Sequence, residues 1–211
     1  ELPSQLNIGF IPGGDLVSTK ETGFKLAQFL QKELGVPINV VISKSYGGLI
    51  ELMKERKIDF ALFSSFTFIE AEQKAGAKVL LKTVFESPFY YSTILVLDEK
   101  IKTINDLKGK KIGFVDQKSS SGYLYPRLAF QKLGIWEKDF KSTVFSGSHS
   151  KSVELLEEAS VDAIAVFADD AKAIRNAWGK YAGLKKSTNK KNSKKAKVLW
   201  VSEPIPNDPF C

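Results

Sequence analysis

The sequence predicts an α/β fold in two lobes, on three observations. Short β-rich runs alternate with segments of helical apolar spacing along most of the 211 residues, an order typical of parallel sheets covered by helices. After Pro88 a long β-rich segment, FYYSTILVLDE, takes the place of the next helix, and a second α/β series follows. The chain returns through another apolar run, KVLWVSEPIPNDPFC. Two lobes with a hinged cleft fit this layout, although the periodicity also permits a single doubly wound sheet.

The first α/β series has strand and helix signals in regular order. The runs predicted as strands are QLNIGFI, INVVIS, DFALFS and KVLLKTVF, and those predicted as helices are ETGFKLAQFLQKELG, GGLIELMKERK and FTFIEAEQKAG. In the first helix Phe24, Ala27, Leu30 and Leu34 recur at helical spacing, and Gly35 stands where a helix would stop. We assign residues 1–88, together with 198–211, to the first lobe.

The second series repeats the pattern within residues 89–197, which we assign to the second lobe. Its predicted strands are KIGFVD, STVFSG and VDAIAVFADD, and its predicted helices are PRLAFQKLG, SKSVELLEEAS and AKAIRNAWGKY. No apolar stretch approaches the ~18 residues that a membrane-spanning helix needs. Cys211 is the sole cysteine, which excludes a disulfide framework and a cysteine-based metal site, and we expect no metal or cofactor. Since the sequence starts at Glu1 without a signal-peptide pattern, we expect a processed chain.

The positive charge is concentrated in one polar segment, residues 185–197. The net charge is +7 and this segment contributes seven positive charges, so the rest of the chain sums to zero. Serine, threonine and asparagine separate the lysines, a composition typical of a solvated loop. Without interleaved aromatic residues or a helical register, it is not expected to bind nucleic acid. The lysines are Lys185, Lys186, Lys190, Lys191, Lys194, Lys195 and Lys197.

A cluster of hydrogen-bond donors stands where a strand passes into a helix. Ser119, Ser120, Ser121 and Gly122 lie between KIGFVD and PRLAFQKLG. Ligands of parallel sheets bind where strands end, and helix N-termini favour anions there. Three hydroxyls add donors without charge, and glycine lets the backbone approach a ligand closely. An anion site is one interpretation; a plain turn with one capping serine is the other.

Similar junctions occur elsewhere in the chain. His149, the sole histidine, lies in SGSHSKS between a predicted strand and a helix, where it could donate to an anion or simply cap the helix. The first lobe has Tyr46 in SYGGL and Ser64 in FSSFTF at matching positions. Tyr90 and Tyr91 open the long connecting segment, and packing is the alternative role for both.

Nucleophile and phosphate-loop motifs are absent from the sequence. It contains no Gly-x-x-x-x-Gly-Lys-Ser/Thr loop, no Gly-x-Ser-x-Gly elbow and no histidine pair at metal-ligand spacing. A hydrolase could still use Ser120 and His149, with Asp162 or Asp169 as the orienting acid. The serines, however, form a set rather than a single residue at a strained elbow. Binding is therefore the better interpretation.

Three strings carry a resemblance to a known family: SSSGYLYPRLAFQKLGI, FSGSHSKSVELLEEASVDAIAVFADD and VLWVSEPIPNDPF. They resemble the periplasmic phosphonate-binding proteins of ABC transporters, a family that includes phosphite- and phosphate-type binders, and the similarity extends from LNIGFIPGG onwards. It implies the type 2 periplasmic-binding-protein fold. In the family, the serine-rich helix start and the histidine hold the oxyanion, which implicates Ser119–Ser121 and His149.

Other family positions carry over by the same resemblance. The first-lobe tyrosine falls on Tyr46 and the connecting-strand aromatic on Tyr90 or Tyr91. Members that take aminoalkyl phosphonates use acids for the amine, and Asp169 and Glu203 lie at similar positions. The sequence departs from the family in its longer lysine segment. It also ends at Cys211, where the family continues with helices, so we expect the C-terminal part of the first lobe to be missing.

These observations predict a monomeric, extracytoplasmic binding protein rather than an enzyme. It would bind a small phosphorus oxyanion reversibly, a phosphonate first and phosphite or phosphate as alternatives, and deliver it to a membrane permease. The location would be periplasmic, with lipid anchoring through a further segment left open. The ligand-sensing domain of a membrane receptor stays open as a second role, and the Ser120/His149 hydrolase as a third.

Overall fold

The computed structural model of the chain describes residues 3–11, 13–14, 16–183 and 195–211. By their contacts the residues form two compact units, Glu1–Pro88 with Asn207–Cys211, and Phe89–Pro206. The predicted assignment of residues 198–206 to the first lobe is wrong, because the strand Lys197–Val201 pairs with the long strand Phe89–Val96 of the second unit. The hinged cleft stays a prediction.

The first unit is a mixed sheet with helices between its parallel strands. In chain order the elements are β1 (Leu6–Phe10), α1 (Leu16–Leu34), β2 (Ile38–Ile42), α2 (Tyr46–Lys54), β3 (Phe60–Leu62), α3 (Ser65–Ala75), β4 (Leu81–Lys82) and the final strand of the chain, β11 (Pro209–Phe210). Strand order is β2-β1-β3-β11-β4; β1 pairs in parallel with β2 and β3, and β11 runs antiparallel to β3 and β4. The predicted strand KVLLKTVF is reduced to the two residues of β4, which pair with β11 at the sheet edge.

The second unit is built around a larger mixed sheet. The elements are β5 (Phe89–Val96), β6 (Lys111–Phe114), α4 (Tyr125–Lys132), β7 (Ser142–Phe145), α5 (His149–Glu157), β8 (Ala163–Ala168), α6 (Ala177–Tyr181), β9 (Lys197–Val201) and β10 (Ile205–Pro206), with short 3₁₀ turns at Ile104–Leu107 and Glu137–Asp139. Strand order is β10-β5-β8-β6-β7, with β9 also paired to β5. The strands β6, β7 and β8 are parallel, whereas β5 runs antiparallel to β8.

Alternating residues of the central strands divide the core of the second unit between two faces. Ile94 and Ala165 pack with Phe130 of α4 on one face, whereas Leu95 and Val166 belong to the cluster of α5 and α6 on the other. Both faces are buried, so the central strands are apolar on both sides. The connection after β6 therefore leads into α4 on one face, and that after β7 leads into α5 on the other.

Two segments need comparison with their predictions: the last predicted helix of the second series and the lysine-rich segment. AKAIRNAWGKY is helical only in α6, because the Asp170 carboxylate accepts the amides of Lys172, Ile174 and Arg175 and holds a non-helical turn. Partial burial raises the pKa of Asp170, but these hydrogen bonds from three amides outweigh it and lower the pKa below its ordinary value. In the lysine-rich segment, residues 184–194 lie outside the described residues, whereas Lys197 donates from Nζ to the Ile101 carbonyl at 3.2 Å. Within the ranges described, no helix is long and apolar enough to span a bilayer.

Candidate oxyanion site

The serine cluster forms a wide helical turn at the carboxyl edge of the second sheet, where the parallel strands β6, β7 and β8 end. In this serine turn, Ser119–Leu124, the Leu124 amide donates to the Ser119 carbonyl at 3.1 Å, five residues back, so the turn is π-helical. The Ser119 hydroxyl caps it by accepting the Gly122 amide at 3.0 Å. Such single π turns often occur at functional sites. The sequence predicted a helix start here but not its widened form.

Close packing fixes the serine turn against β5 and β6. The Val115 amide donates to the Gly122 carbonyl at 3.1 Å, and the Ser92 hydroxyl of β5 donates to the Ser121 carbonyl at 2.6 Å. A Cβ on Gly122 would lie 2.5 Å from the Val115 Cβ. Glycine is therefore required at this position by a close approach of backbone to side chain. Ser119, Ser120 and Ser121 are all buried in this arrangement.

The tyrosine that follows the cluster anchors the far side of the serine turn. Its hydroxyl, Tyr123 Oη, donates to Glu137 Oε1 at 2.7 Å, and its ring packs edge-on against Phe114 with centroids 5.1 Å apart. Burial, followed by the hydrogen bond to Glu137, raises the pKa of Tyr123 to about 12. Tyr123 thus stays a neutral donor, and its contacts with Glu137 and Phe114 anchor the serine turn.

The loop between β7 and α5, residues 146–149, lies directly beside the serine turn, and we call it the histidine loop. The Gly147 amide donates to the Val115 carbonyl at 2.8 Å, which joins the loops that follow β7 and β6. Gly147 has φ of +86°, a value that favours glycine. Ser148 then caps α5 by accepting the Lys151 amide at 3.2 Å, and this places His149 in the first turn of the helix.

His149 is a buried, neutral imidazole. Its ring contacts Phe167 edge-on with centroids 5.1 Å apart, and its Nδ1 atom is buried without a hydrogen-bond partner in the described residues. Burial first, and the positive charge of Lys180 second, lower the pKa of His149 to about 3. A neutral imidazole donates from one nitrogen only, so at neutral pH His149 offers a hydrogen bond rather than a charge.

Four further predicted residues lie at the same carboxyl edge. Tyr91 is paired with Ala168, the last residue of β8, because β5 runs antiparallel to it, and Tyr90 precedes it. Both tyrosines are partly buried. Asp169 directly follows β8; it is exposed, and its amide donates to the Arg175 carbonyl at 2.8 Å. Glu203 follows β9 and is also exposed.

Tyr46 and Ser64 belong to the first unit, each at the start of a helix that follows a parallel strand. Tyr46 opens α2 and is only 2 % exposed, and a Cβ on Gly13 would lie 3.4 Å from its hydroxyl. Ser64 caps α3: its hydroxyl accepts the Thr67 amide at 3.4 Å and lies 2.9 Å from Thr67 Oγ1. This geometry gives Ser64 a capping role, and a ligand contact from it stays a prediction.

The structure adds two charged side chains that the sequence did not single out. Lys180 of α6 is the second cause of the lowered pKa of His149. Asp208, in the first unit, has a buried Oδ1 without a partner in the described residues, and burial raises its pKa to about 7. The Pro-Asn-Asp-Pro string was a signal for Asp208, whereas nothing in the sequence links Lys180 to His149. No described group of three or more acidic, histidine or cysteine side chains could hold a metal ion.

The comparison with protein families gives one match over most of the chain. Residues 8–211 match the model described as ABC transporter, phosphonate, periplasmic substrate-binding protein. A phosphonates-binding periplasmic protein of Escherichia coli (strain K12) is 32% identical over the whole of this chain, which covers 61% of that protein. A phosphate-import protein of Mycolicibacterium smegmatis is 29% identical over 76% of this chain and 54% of its own length. The chain thus spans between a half and two thirds of the length of these relatives.

Solved structures show the same fold. A phosphonate-transporter binding protein from Pseudomonas aeruginosa matches with a TM-score of 0.83 at 24% identity, over 98% of this chain and 67% of its own. A Prochlorococcus marinus protein in complex with methylphosphonate matches with a TM-score of 0.81 at 20% identity, over 99% and 76%. The predicted type 2 periplasmic-binding-protein fold is therefore confirmed, as far as the chain extends along it.

The close approach at Gly122 gives a test of the serine turn. Gly122→Ala should lower the free energy of unfolding by about 1–3 kcal/mol, because the added methyl group overlaps the Val115 side chain. Gly179→Ala is the matched control, since a Cβ there meets nothing within 4 Å, and it should be as stable as the parent or slightly more so. Urea unfolding of the two variants measures this, and equal stabilities would show that the turn is not tightly packed.

The neutral state of His149 is testable because it is the sole histidine. Its folded-state pKa lies below the unfolded value of 6.5, at about 3, so between these pH values the unfolded chain binds the extra proton. His149 should therefore lower the free energy of unfolding as pH falls from about 6.5 towards 3. Asp208, with its pKa raised to about 7, acts in the opposite direction. Because these two effects on the free energy of unfolding oppose each other, the imidazole NMR resonances report the protonation of His149 more directly than stability does.

We expect these resonances to stay constant from pH 8 to about 5, whereas the urea-unfolded chain should titrate near pH 6.5. A midpoint near 6.5 in the folded protein would mean that the imidazole is solvated.

Proposed function

This chain belongs to the periplasmic substrate-binding proteins of phosphonate ABC transporters, and we propose that it reversibly binds a small phosphorus oxyanion, with a phosphonate as the preferred ligand. The named relatives support this class: one is called phosphonates-binding, one phosphate-import and one phosphite-binding. The ligand would then be delivered to a membrane permease, as the family description implies. The family is periplasmic; a lipid anchor and a monomeric state are further proposals.

One observation carries the proposal: two donor loops meet at the carboxyl edge of the second sheet. The serine turn brings hydroxyls and helix-start amides, the histidine loop brings a neutral imidazole, and the bond from the Gly147 amide to the Val115 carbonyl joins the two loops. Hydroxyls and amides stabilise an oxyanion through charge-assisted hydrogen bonds without a permanent opposite charge. Such donors suit a ligand that must be released again.

We assign anion contacts to Ser119–Ser121 and to His149, with Tyr90 or Tyr91 contributing from the start of β5. Gly122 was also expected to contact the anion, but its amide donates to Ser119 Oγ and its carbonyl accepts the Val115 amide, so we assign it the shaping of the serine turn. Tyr46 and Ser64 are the proposed contacts of the first unit. Asp169 and Glu203 are proposed to contact the amine of an aminoalkyl phosphonate. Both acids are exposed, as groups that meet a solvated cation should be.

The hydrolase alternative has less support from the geometry than binding has. Asp162 Oδ2 accepts the amide of Lys111, the first residue of β6, at 2.7 Å, which places this acid at the opposite edge of the sheet. His149 Nδ1 has no partner among the described residues, carboxylates included. A Ser-His pair without such a partner has neither a fixed tautomer nor support for the imidazolium form. Binding without turnover is accordingly the function proposed.

Isothermal calorimetry with methylphosphonate, phosphite, phosphate and sulfate tests this assignment. Ser120→Ala should weaken binding of the best ligand about tenfold to a hundredfold, because one hydrogen bond to a charged group is worth roughly 1.5–3 kcal/mol. His149→Ala should have a similar effect. Ser142→Ala is the matched control: this exposed serine begins β7 at the opposite edge of the sheet, and its loss should leave affinity unchanged.

The same titrations distinguish the alternatives. If Ser120→Ala and His149→Ala both bind as tightly as the parent, the site is misassigned. Steady release of inorganic phosphate from a phosphonate or phosphate ester would instead support the hydrolase. If the two acids contact an amine, the parent should prefer aminoethylphosphonate to ethylphosphonate, and Asp169→Asn should remove this preference.

A further inference from the structure

A lysine ammonium lies beside the aromatic ring on which His149 rests. Lys180 Nζ is 5.7 Å from the centroid of Phe167 and 5.4 Å from that of Tyr181. Phe167 also contacts the His149 imidazole, with ring centroids 5.1 Å apart, and the Tyr181 ring at 6.2 Å. The ammonium and the imidazole thus contact the same aromatic side chain.

The start of α6 explains how Lys180 reaches this position. The Asn176 side chain caps the helix by accepting the amides of Trp178 and Gly179 at 2.9 and 3.3 Å. The backbone of Asn176 forms an isolated bridge with Ala168, the last residue of β8. These contacts fix the first turn of α6 at the carboxyl edge of the sheet, the edge that carries the serine turn and His149.

The charge of Lys180 is not cancelled by an ion pair within the described residues. By contrast, Lys151 of the neighbouring helix α5 is paired with Glu154 at 2.7 Å. Rings such as Phe167 and Tyr181 attract a cation without neutralising it. The field of Lys180 therefore acts on the carboxyl edge, and its effect on the titration of His149 is consistent with that.

We propose that Lys180 is the charge-selecting residue of the oxyanion site, favouring doubly charged ligands over singly charged ligands of the same shape. The proposal rests on the proposed function, since it concerns the same site. The serine turn and the neutral imidazole recognise tetrahedral shape but contribute no net charge, so they bind a sulfonate and a phosphonate by similar hydrogen bonds. A nearby uncancelled cation adds a Coulombic energy proportional to the charge of the ligand.

This proportionality gives a quantitative signature. Removing one positive charge costs a dianion twice the free energy that it costs a monoanion, so the fold-loss in affinity for the dianion is the square of that for the monoanion. We take an effective dielectric constant between those of a protein surface and water, and a distance between ammonium and anion of about the width of one aromatic ring. The expected loss of affinity is then about threefold for the monoanion and about tenfold for the dianion. Loss of a structural contact would instead weaken both ligands equally.

Methylphosphonate and methanesulfonate form a matched pair for the test. They share a methyl group and a tetrahedral XO₃ head, and differ by one charge above the second pKa of the phosphonate. Calorimetry at pH about 8.5 keeps methylphosphonate doubly charged, and low ionic strength limits screening. Weak methanesulfonate binding is measured by displacement of methylphosphonate.

The variant is Lys180→Met, because methionine retains the length of the side chain and its contacts with aromatic rings. Its affinity should fall about tenfold for methylphosphonate and about threefold for methanesulfonate, and added salt should reduce both losses of affinity. Lys180→Arg should retain the selectivity of the parent. Lys141→Met removes an exposed charge just before β7, at the opposite edge of the sheet, and should change neither affinity.

The outcomes separate this inference from the function on which it rests. A parent protein that binds neither anion would overturn both. A parent that binds methylphosphonate, with Lys180→Met binding both ligands as the parent does or losing both by the same factor, would overturn the role of Lys180 alone. A selectivity loss as large in Lys141→Met would show that net charge, not the position of Lys180, decides between the ligands.

Discussion

The backbone of one residue, Val115, holds the two donor loops of the second unit together. Its amide donates to Gly122 in the serine turn at 3.1 Å, and its carbonyl accepts the amide of Gly147 in the histidine loop at 2.8 Å. Both bonds are buried with the residue, which is fully enclosed. Two loops far apart in sequence are thus aligned by one peptide unit at the end of β6. Gly122 packs so closely on the Val115 side chain that a Cβ would not fit between them. The serine turn is therefore held in one position, and the position of its donors depends on this contact.

Burial of the donors then decides what kind of site this is. The serines of the turn and His149 are enclosed, and burial lowers the pKa of His149 so far that the imidazole is neutral near pH 7. A set of neutral donors satisfies an oxyanion and needs no counter-ion when the ligand leaves. In the proposed site, positive charge comes from Lys180, which contacts the same aromatic ring as the imidazole. Recognition of shape and recognition of charge are then assigned to different groups.

The sequence predicted those features that depend on local pattern. Strand and helix order gave the α/β fold, and the serine and histidine clusters at strand ends gave the donors, because the carboxyl ends of parallel strands meet at one edge. The features it missed depend on contacts between distant residues. Residues 198–206 join the second unit through pairing of β9 and β10 with β5, which no local pattern encodes. The π-helical serine turn packs against Val115 and Ser92, and Lys180 and His149 are brought together by their contacts with Phe167. Asp170 shortened a predicted helix by accepting three amides, a local competition that apolar spacing does not reveal.

We infer that the serine turn and His149 bind one anion together. A ¹H–¹⁵N NMR titration with methylphosphonate tests this, because Gly122 reports on the turn and the sole histidine reports on the second loop. We expect the Gly122 amide and the His149 imidazole to shift with the same saturation curve, while residues at the opposite edge of the sheet, such as Ser142, stay unchanged. Saturable binding that moves other resonances and leaves both of these in place would contradict it.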